Sequence, residues 1–398
     1  MIAEHPYLQY FIGLHTFTDH TPFDASTMTY FRKRMTPEIL SEINQMIIEA
    51  GRKTEEANDD DGANGAASGF SDKNESSEKD NQGTMILDAT CVPADIHFPT
   101  DVSLLNESRV KLEDLIDHLY QGVAGTKPRT YRQKARQSYL RFARNRRPRV
   151  KQIRKAIREQ LGYVRRDLGH VSDLITRSSW TLTPRQQTYY ETIQEVYRQQ
   201  QEMFDKKSHK ADHRIVSIHQ PWVRPIVRGK ANANVEFGAK ISVSMIDGYV
   251  MIERLDWDAF NEASDLKLAA ERYRQRYGCH PERILADKIY RNRDNLRFCK
   301  ENNIQLNGPK LGRPPKDETM YTKQKQTERQ EAGERNAVEG KFGEAKRCYG
   351  LNRMMTRLKN TSEVSIHMTF LVMNLEKRLR DLYFAIMRWL FAGQQVFA

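Results

Sequence analysis

Three carboxylates of this 398-residue chain stand where their side chains could do chemistry. Asp88 lies inside the apolar run Thr84–Val92 (TMILDATCV), which reads as a buried strand. Aspartate is disfavoured in strands and costly to bury, so a charge there needs a partner or a task. Asp287 closes the short strand Arg283–Asp287 (RILAD), at a carboxyl edge where side chains emerge from a sheet. Glu339 lies on a helix that follows a basic loop. Cutting and rejoining a phosphodiester requires an activated oxygen nucleophile and a stabilised leaving oxygen, which two Mg²⁺ ions about 3.5–4 Å apart can supply. Such hard ions take oxygen ligands, often a few carboxylates with water and phosphate completing the shell. Three acids drawn from distant parts of the chain suit that need.

The helix around Glu339 adds detail. Arg335, Glu339, Phe342 and Lys346 fall at i, i+4, i+7 and i+11, one helical face. Glu339 can then point at the metals while Arg335 and Lys346 meet phosphates. Spacing alone leaves open a plain Arg335–Glu339 pair on a solvated face, worth about 0.2–0.5 kcal/mol, and Glu344 competes as the third acid. Asp95 and Asp101 read as loop carboxylates and Asp247 as a turn former. His97 and His219 have ordinary polar roles or contact DNA. Trp222 and Trp257 read as core or interface residues, with stacking on an unpaired base as the alternative.

These acids need a scaffold. Val235–Val243 and Tyr249–Leu255 read as strands joined by an Asp247-Gly248 turn, a strong hairpin signal. A helix over Asn261–Tyr277, the strand ending on Asp287, a helix over Asp294–Asn302 and a short strand Ile304–Leu306 follow. A hairpin, helix, strand, helix order after an Asp-bearing strand is the layout of an RNase H-like mixed sheet. Residues 309–330 read as a basic, Pro-containing loop, with helix resuming near Glu331. Residues 1–50 read as helical, including Thr21–Met35 with Asp24 or Ser26 as N-cap and the cluster Arg32-Lys33-Arg34. From Glu55 to Gly83 the chain holds nine acidic residues and one aromatic, too little apolar surface to offset ordering, so 51–83 reads as an acidic disordered linker.

Charge distribution narrows the partner. The net charge is +12, from 64 Lys plus Arg against 52 Asp plus Glu, a surplus that suggests a polyanion. Residues 102–210 read as helical, and within them Lys127–Arg166 holds sixteen basic residues against the single acid Glu159, with Tyr131, Tyr139, Phe142 and Tyr163 interleaved. A solvated helix face mixes both signs; this stretch reads instead as a surface for the DNA backbone, carried by Arg144, Arg146, Arg147, Arg149, Lys151, Arg154 and Lys155. Cys91, Cys279, Cys299 and Cys348 show no zinc spacing and read as reduced thiols. No charged-then-apolar signal opens the chain, and Val364–Phe397, broken by Lys377, Arg378, Arg380 and Asp381, reads as a core or interface helix rather than a membrane span. No P-loop is found, so no nucleotide cofactor is expected.

At this point the chain resembles bacterial insertion-sequence DDE transposases, specifically the group with an InsH-like N-terminal domain. The resemblance is carried by Met85–Leu105, Pro225–Lys240, Ala286–Asn295 and Arg335–Leu351, in the family's order. It implies that Asp88 and Asp287 are the two catalytic aspartates, and that Glu339 belongs to an Arg-x3-Glu-x6-Lys signature met by Arg335, Glu339 and Lys346, which favours it over Glu344. Lys346 is then expected to hold transposon-end DNA. Where the family places a Tyr three residues before the Arg, this chain has Ala332. The chain also starts almost on the motif His5–Leu14, where relatives carry more sequence, which leaves end recognition in question.

The expectation is therefore an α/β protein with three parts: a shortened helical DNA-binding segment (1–50), the linker (51–83), and an RNase H-like catalytic domain (84–398). A basic helical insertion at about 101–212 interrupts the last. The resemblance implies metal-dependent cleavage and strand transfer on Mg²⁺, with Mn²⁺ as substitute, held by Asp88, Asp287 and Glu339. The partners implied are double-stranded DNA, both terminal inverted repeats and target, and a second copy on the DNA. The expected location is the cytoplasm, at the nucleoid. The rivals are a nuclease of the same fold without strand transfer, and an inactive DNA-binding remnant.

Overall fold

The computed structural model describes residues 2–24, 26–59, 80–230, 233–308 and 318–392. The expected linker therefore lies largely outside the described residues. The chain divides into two units, one formed by the described parts of 1–77, 245–252 and 360–398, the other by 78–244 and 253–359.

The first unit is helical: α1 (Pro6–Phe11), α2 (Thr27–Arg34), α3 (Pro37–Asp59) and most of the carboxyl-terminal helix (Lys359–Ala392), together with the tip of one hairpin. Helix α3 runs nine residues into the stretch expected to be linker, because Arg52 to Asp59 contain no Gly or Pro to stop it. Its apolar face buries Leu40 and Ile47 against Val364 and Leu371, and Ile48 against Tyr249 and Met251. Two amides close this packing. Asn374 Nδ2 donates to Asn44 Oδ1 at 2.8 Å and to the Val250 carbonyl at 2.8 Å, while Asn374 Oδ1 accepts from the Val250 amide at 2.9 Å. They satisfy strand groups that would otherwise be buried unpaired. At the hairpin tip Asp247 (φ 51°) and Gly248 (φ 78°) both take the left-handed region that a tight two-residue turn requires.

The second unit holds a six-stranded sheet of order β2-β3-β1-β5-β6, with β4 beside β3. The strands are β1 (Thr84–Pro93), β2 (Arg224–Lys230), β3 (Ala233–Ile246), β4 (Tyr249–Asp256), β5 (Arg283–Ala286) and β6 (Gln305–Leu306). Strand β1 runs parallel to β5, and β5 parallel to β6; β2 and β3 are antiparallel. Gly238 of β3 passes so close to β1 that a Cβ would strike the Val92 carbonyl. Strand β2 was not expected from the sequence: Pro225 interrupts its pattern, and Pro is tolerated there because β2 is an edge.

Between β1 and β2 the chain forms α4 (Asp101–Tyr120), α5 (Arg132–Ala143), α6 (Val150–Arg177) and α7 (Pro184–Asp205). Leu105, Leu112, Ile116 and Leu119 of α4, Val164 and Val171 of α6, and Ile193 and Val196 of α7 make an apolar core of their own. Thr100 caps α4 in a reciprocal box with Ser103. Asp101 opens that helix, rather than lying in a loop, and pairs with Arg214 at 2.7 Å. After β4 come α8 (Asp265–Tyr277), α9 (Arg293–Glu301) and α10 (Glu318–Cys348); the Lys359–Ala392 helix is α11. The loop expected through residue 330 is already helical from Glu318. Beyond Pro315 nothing breaks a helix, and Gln324–Glu328 and Gln330–Glu334 bonds join successive turns. Among the described residues no disulfide joins the cysteines, and no helix is long and apolar enough to cross a membrane.

Candidate active site

The register of β1 and β5 pairs Thr84 with Arg283 and Leu87 with Ala286. Carried one residue further, it sets Asp88 level with Asp287, on neighbouring parallel strands that lie about 4.8 Å apart. Asp287 Oδ1 accepts from the Lys288 amide at 2.7 Å and caps a short 3₁₀ turn; Asp88 Oδ1 accepts from the Ala89 amide at 2.8 Å. Both carboxylates keep their second oxygen out of these turn bonds.

Helix α10 packs on β1 and β5. Val338, Phe342 and Ala345 are its buried apolar residues, and Glu331 ties it to β6 by accepting from Gln305 Nε2 at 3.2 Å and from the Gly308 amide at 3.3 Å. That seating brings Arg335 to 3.8 Å from Asp88 and 3.1 Å from Glu339. Asp88, Asp287, Arg335, Glu339 and Lys346 line one cleft of about 700 Å³. Glu344 does not line it and pairs with Lys341 at 3.0 Å.

Two further charged residues line the cleft that sequence reasoning did not single out. Lys240 of β3 bonds Glu262 at 2.7 Å. The signal for Lys240 was present in the sequence: it is a charge inside an apolar strand, as Asp88 is. Glu262 carries no such mark, since it follows a loop and becomes meaningful only once β4 returns it beside β1.

Electrostatics set Asp88 apart. Burial pushes its carboxyl up to about 6, the Ala89 amide and Arg335 pull the other way, and the charges of Glu262 and Asp287 push it further up. A carboxyl whose charge is disfavoured first by burial and then by acidic neighbours is a place where a cation would be welcome. Among the described residues, however, no three His, Cys, Asp or Glu side chains gather around one point. Asp88 and Asp287 are hard oxygen donors side by side and fit a divalent ion. Glu339 lines the same cleft but is 56% exposed, with its carboxylate on Arg335.

Of the basic residues expected to meet DNA, Arg335 and Lys346 line this cleft, and those of the α5–α6 stretch do not. Arg144, Arg146, Arg147, Arg149, Lys151, Arg154 and Lys155 are all exposed, from the end of α5 into the first turns of α6. Arg154 also stacks on Phe204 at 4.3 Å. Asp95 pairs with Arg353 at 2.7 Å. Trp257 is buried and meets Trp222 edge-on at 6.3 Å.

Comparison with known proteins agrees with these features. Residues 284–376 match the family model described as "Transposase DDE domain", a span that contains Asp287 and Glu339. A Rhizobium meliloti protein described as "Uncharacterized protein ORF8 in nfe locus" is 32% identical over 143 residues, which are 36% of this chain and 53% of that protein. The chain thus spans about half the length of that relative. No solved structure matches.

Proposed function

With residues 284–376 similar to the transposase DDE domain, we propose that this protein is an insertion-sequence transposase that binds transposon-end DNA, cuts it and joins the freed 3′ end to target DNA. The observation that carries the reading is the register that pairs Leu87 with Ala286, the residues just before Asp88 and Asp287, and the cleft that these two aspartates line together with Glu339, Arg335 and Lys346 of α10. The strand order β4-β3-β1-β5-β6, with parallel pairing from β1 onward to β6, supports an RNase H-like core.

Asp88 and Asp287 would hold Mg²⁺, or Mn²⁺ in its place, and Glu339 would complete the site by leaving Arg335. When bound, the ions activate the attacking oxygen and stabilise the leaving one. Arg335 and Lys346 supply positive charge to the phosphates beside the reacting bond. The exposed run from Arg144 to Lys155 holds the duplex through its backbone, where each neutralised phosphate releases counterions. A second copy on the DNA completes the assembly, and the exposed apolar residues Leu379, Tyr383, Phe384 and Leu390 of α11 offer a surface for it. The DNA partner places the protein at the nucleoid.

The test is a strand-transfer assay with pre-cut ends and Mg²⁺. Joined products that vanish in Asp88→Asn and Asp287→Asn support the reading. Cleavage without joining would leave a nuclease. DNA binding without metal-dependent products of either kind would contradict the enzymatic reading.

A further inference from the structure

The end of β5 and helix α10 each carry one acid of the cleft, and one short segment is bonded to both. Strand β6 is only two residues long, and the chain continues from it through Asn307 to Gly308. The Asn307 amide donates to the Ile284 carbonyl at 3.0 Å and continues the parallel ladder. The Ala286 amide, one residue before Asp287, donates to a side chain instead: Asn307 Oδ1, at 2.8 Å. A main-chain N–H can only donate, so this bond fixes which end of the Asn307 amide meets β5. Ala286 and Asn307 are both buried, where an unpaired amide is costly. Four residues past Asp287, Arg291 Nη1 donates to the Leu306 carbonyl at 2.9 Å and braces the same segment from the turn that Asp287 caps.

The segment is bonded equally to α10. Gln305 Nε2 donates to Glu331 Oε1 at 3.2 Å, and the Gly308 amide to Glu331 Oε2 at 3.3 Å. Glu331 is 5% exposed, a costly place for a carboxylate, and each of its oxygens meets one of these donors. Gly308 has φ 100°, a backbone that favours glycine, so the turn that offers its amide is written into the sequence. Glu331 and Glu339 lie eight residues apart on one continuous helix, with Arg335 midway. That is about 12 Å along the axis. A position fixed at Glu331 is thus carried to Glu339.

Resting on the proposed function of the cleft, we propose that Asn307 and Glu331 are positioning residues. The segment from Gln305 to Gly308 clamps the strand end that bears Asp287 to the helix that bears Glu339, and so sets how far apart these two carboxylates stand. Neither residue lines the cleft, so both act through the acids.

Hydrogen exchange and Mn²⁺ titration of the full-length protein test the clamp in Asn307→Ala, Asn307→Asp, Glu331→Leu and Glu331→Gln. Loss of a buried bond should speed exchange about tenfold. The acceleration is expected both in the peptide containing Ala286 and in the peptide containing Glu339, whichever residue is changed, while peptides of α4 exchange as before. Mn²⁺ affinity, read from the paramagnetic resonance of the free ion, should fall roughly tenfold or more in Asn307→Ala and Glu331→Leu. Asn307→Asp keeps an acceptor for the Ala286 amide and should recover most of that loss. The Glu331→Leu loss should vanish in a Glu339→Gln background, because it acts through that acid. Thermal melting checks that each variant is folded; should Glu331→Leu melt early, Glu331→Gln, which keeps one acceptor, should show the smaller loss in its place. Exchange that quickens at both acids in a protein that binds no Mn²⁺ would uphold the clamp and sink the metal reading. The proposal is overturned by exchange that quickens only beside the substituted residue or throughout the unit, or by Mn²⁺ affinity that stays the same in all four variants of a protein that binds the ion.

Discussion

Asp88 is caught between burial, which favours its neutral form, and Arg335, which favours its charge. On the proposed function, replacing it with Asn would remove a metal donor and also a negative charge beside the path of a phosphate. We therefore expect Asp88→Asn to lose metal-dependent cleavage by roughly 10³-fold or more, yet to bind DNA in chelator at least as tightly as the unaltered protein; gel-shift and cleavage assays on one preparation check both. Lys240 acts on the same group at one remove. Its ammonium neutralises Glu262 at 2.7 Å, and Glu262 is one of the charges that push Asp88 up. In Lys240→Met that neutralisation is gone, so the acid limb of the cleavage pH profile should move to higher pH. An unmoved limb with only a lower plateau would assign Lys240 a purely structural part.

At the scale of elements, the insertion carries its own electrostatic load. Asp167 of α6 is fully buried, and neither of its carboxylate oxygens has a hydrogen-bond partner. Burial, then Glu113, push its carboxyl up to about 7, with Arg109, Arg166 and Arg132 opposing. The folded state therefore holds this proton over the range from about 4 to about 7 in which the unfolded chain releases it. Stability contributed by the neutral form is present at the acid end of that window and is lost as pH rises through the upper end. Asp167→Asn should flatten urea midpoints across that range and raise stability at pH 8 by about 1–3 kcal/mol. The basic run on α5 and α6 gives a separate expectation. Removing Arg144, Arg146 and Arg147 together should weaken duplex binding across sequences and reduce the slope of log affinity against log salt by roughly one for each phosphate no longer neutralised. How much of these elements the sequence revealed follows from what each signal measures. Asp88 was legible because a charge interrupts an apolar strand, and the Asp247-Gly248 turn because left-handed backbone selects its residues. Strand β2 and the early start of α10 were hidden by prolines at or beside their ends, since proline marks a boundary without saying which side is ordered. Glu262 was hidden because its importance comes from strand order, a long-range property that no local pattern encodes.

Over the whole molecule, the proposed site is assembled from a strand, a strand end and a helix that the chain visits before and after the entire α4–α7 insertion. The insertion has its own apolar core, so damage there should act through stability. Ile116→Ala, at a fully buried position, is expected to cost about 2–5 kcal/mol in urea unfolding while leaving the metal dependence of the remaining folded protein unchanged. The central claim is that Asp88, Asp287 and Glu339 share divalent ions, although Glu339 rests on Arg335 at 3.1 Å. Anomalous scattering from crystals of the protein with pre-cut DNA ends and Mn²⁺ tests it most directly. The expected result is manganese in the cleft, ligated by Asp88 and Asp287, with two peaks about 3.5–4 Å apart and the Glu339 carboxylate turned from Arg335 onto one of them. Manganese absent from the cleft, or bound there without Asp88 and Asp287, would contradict the account.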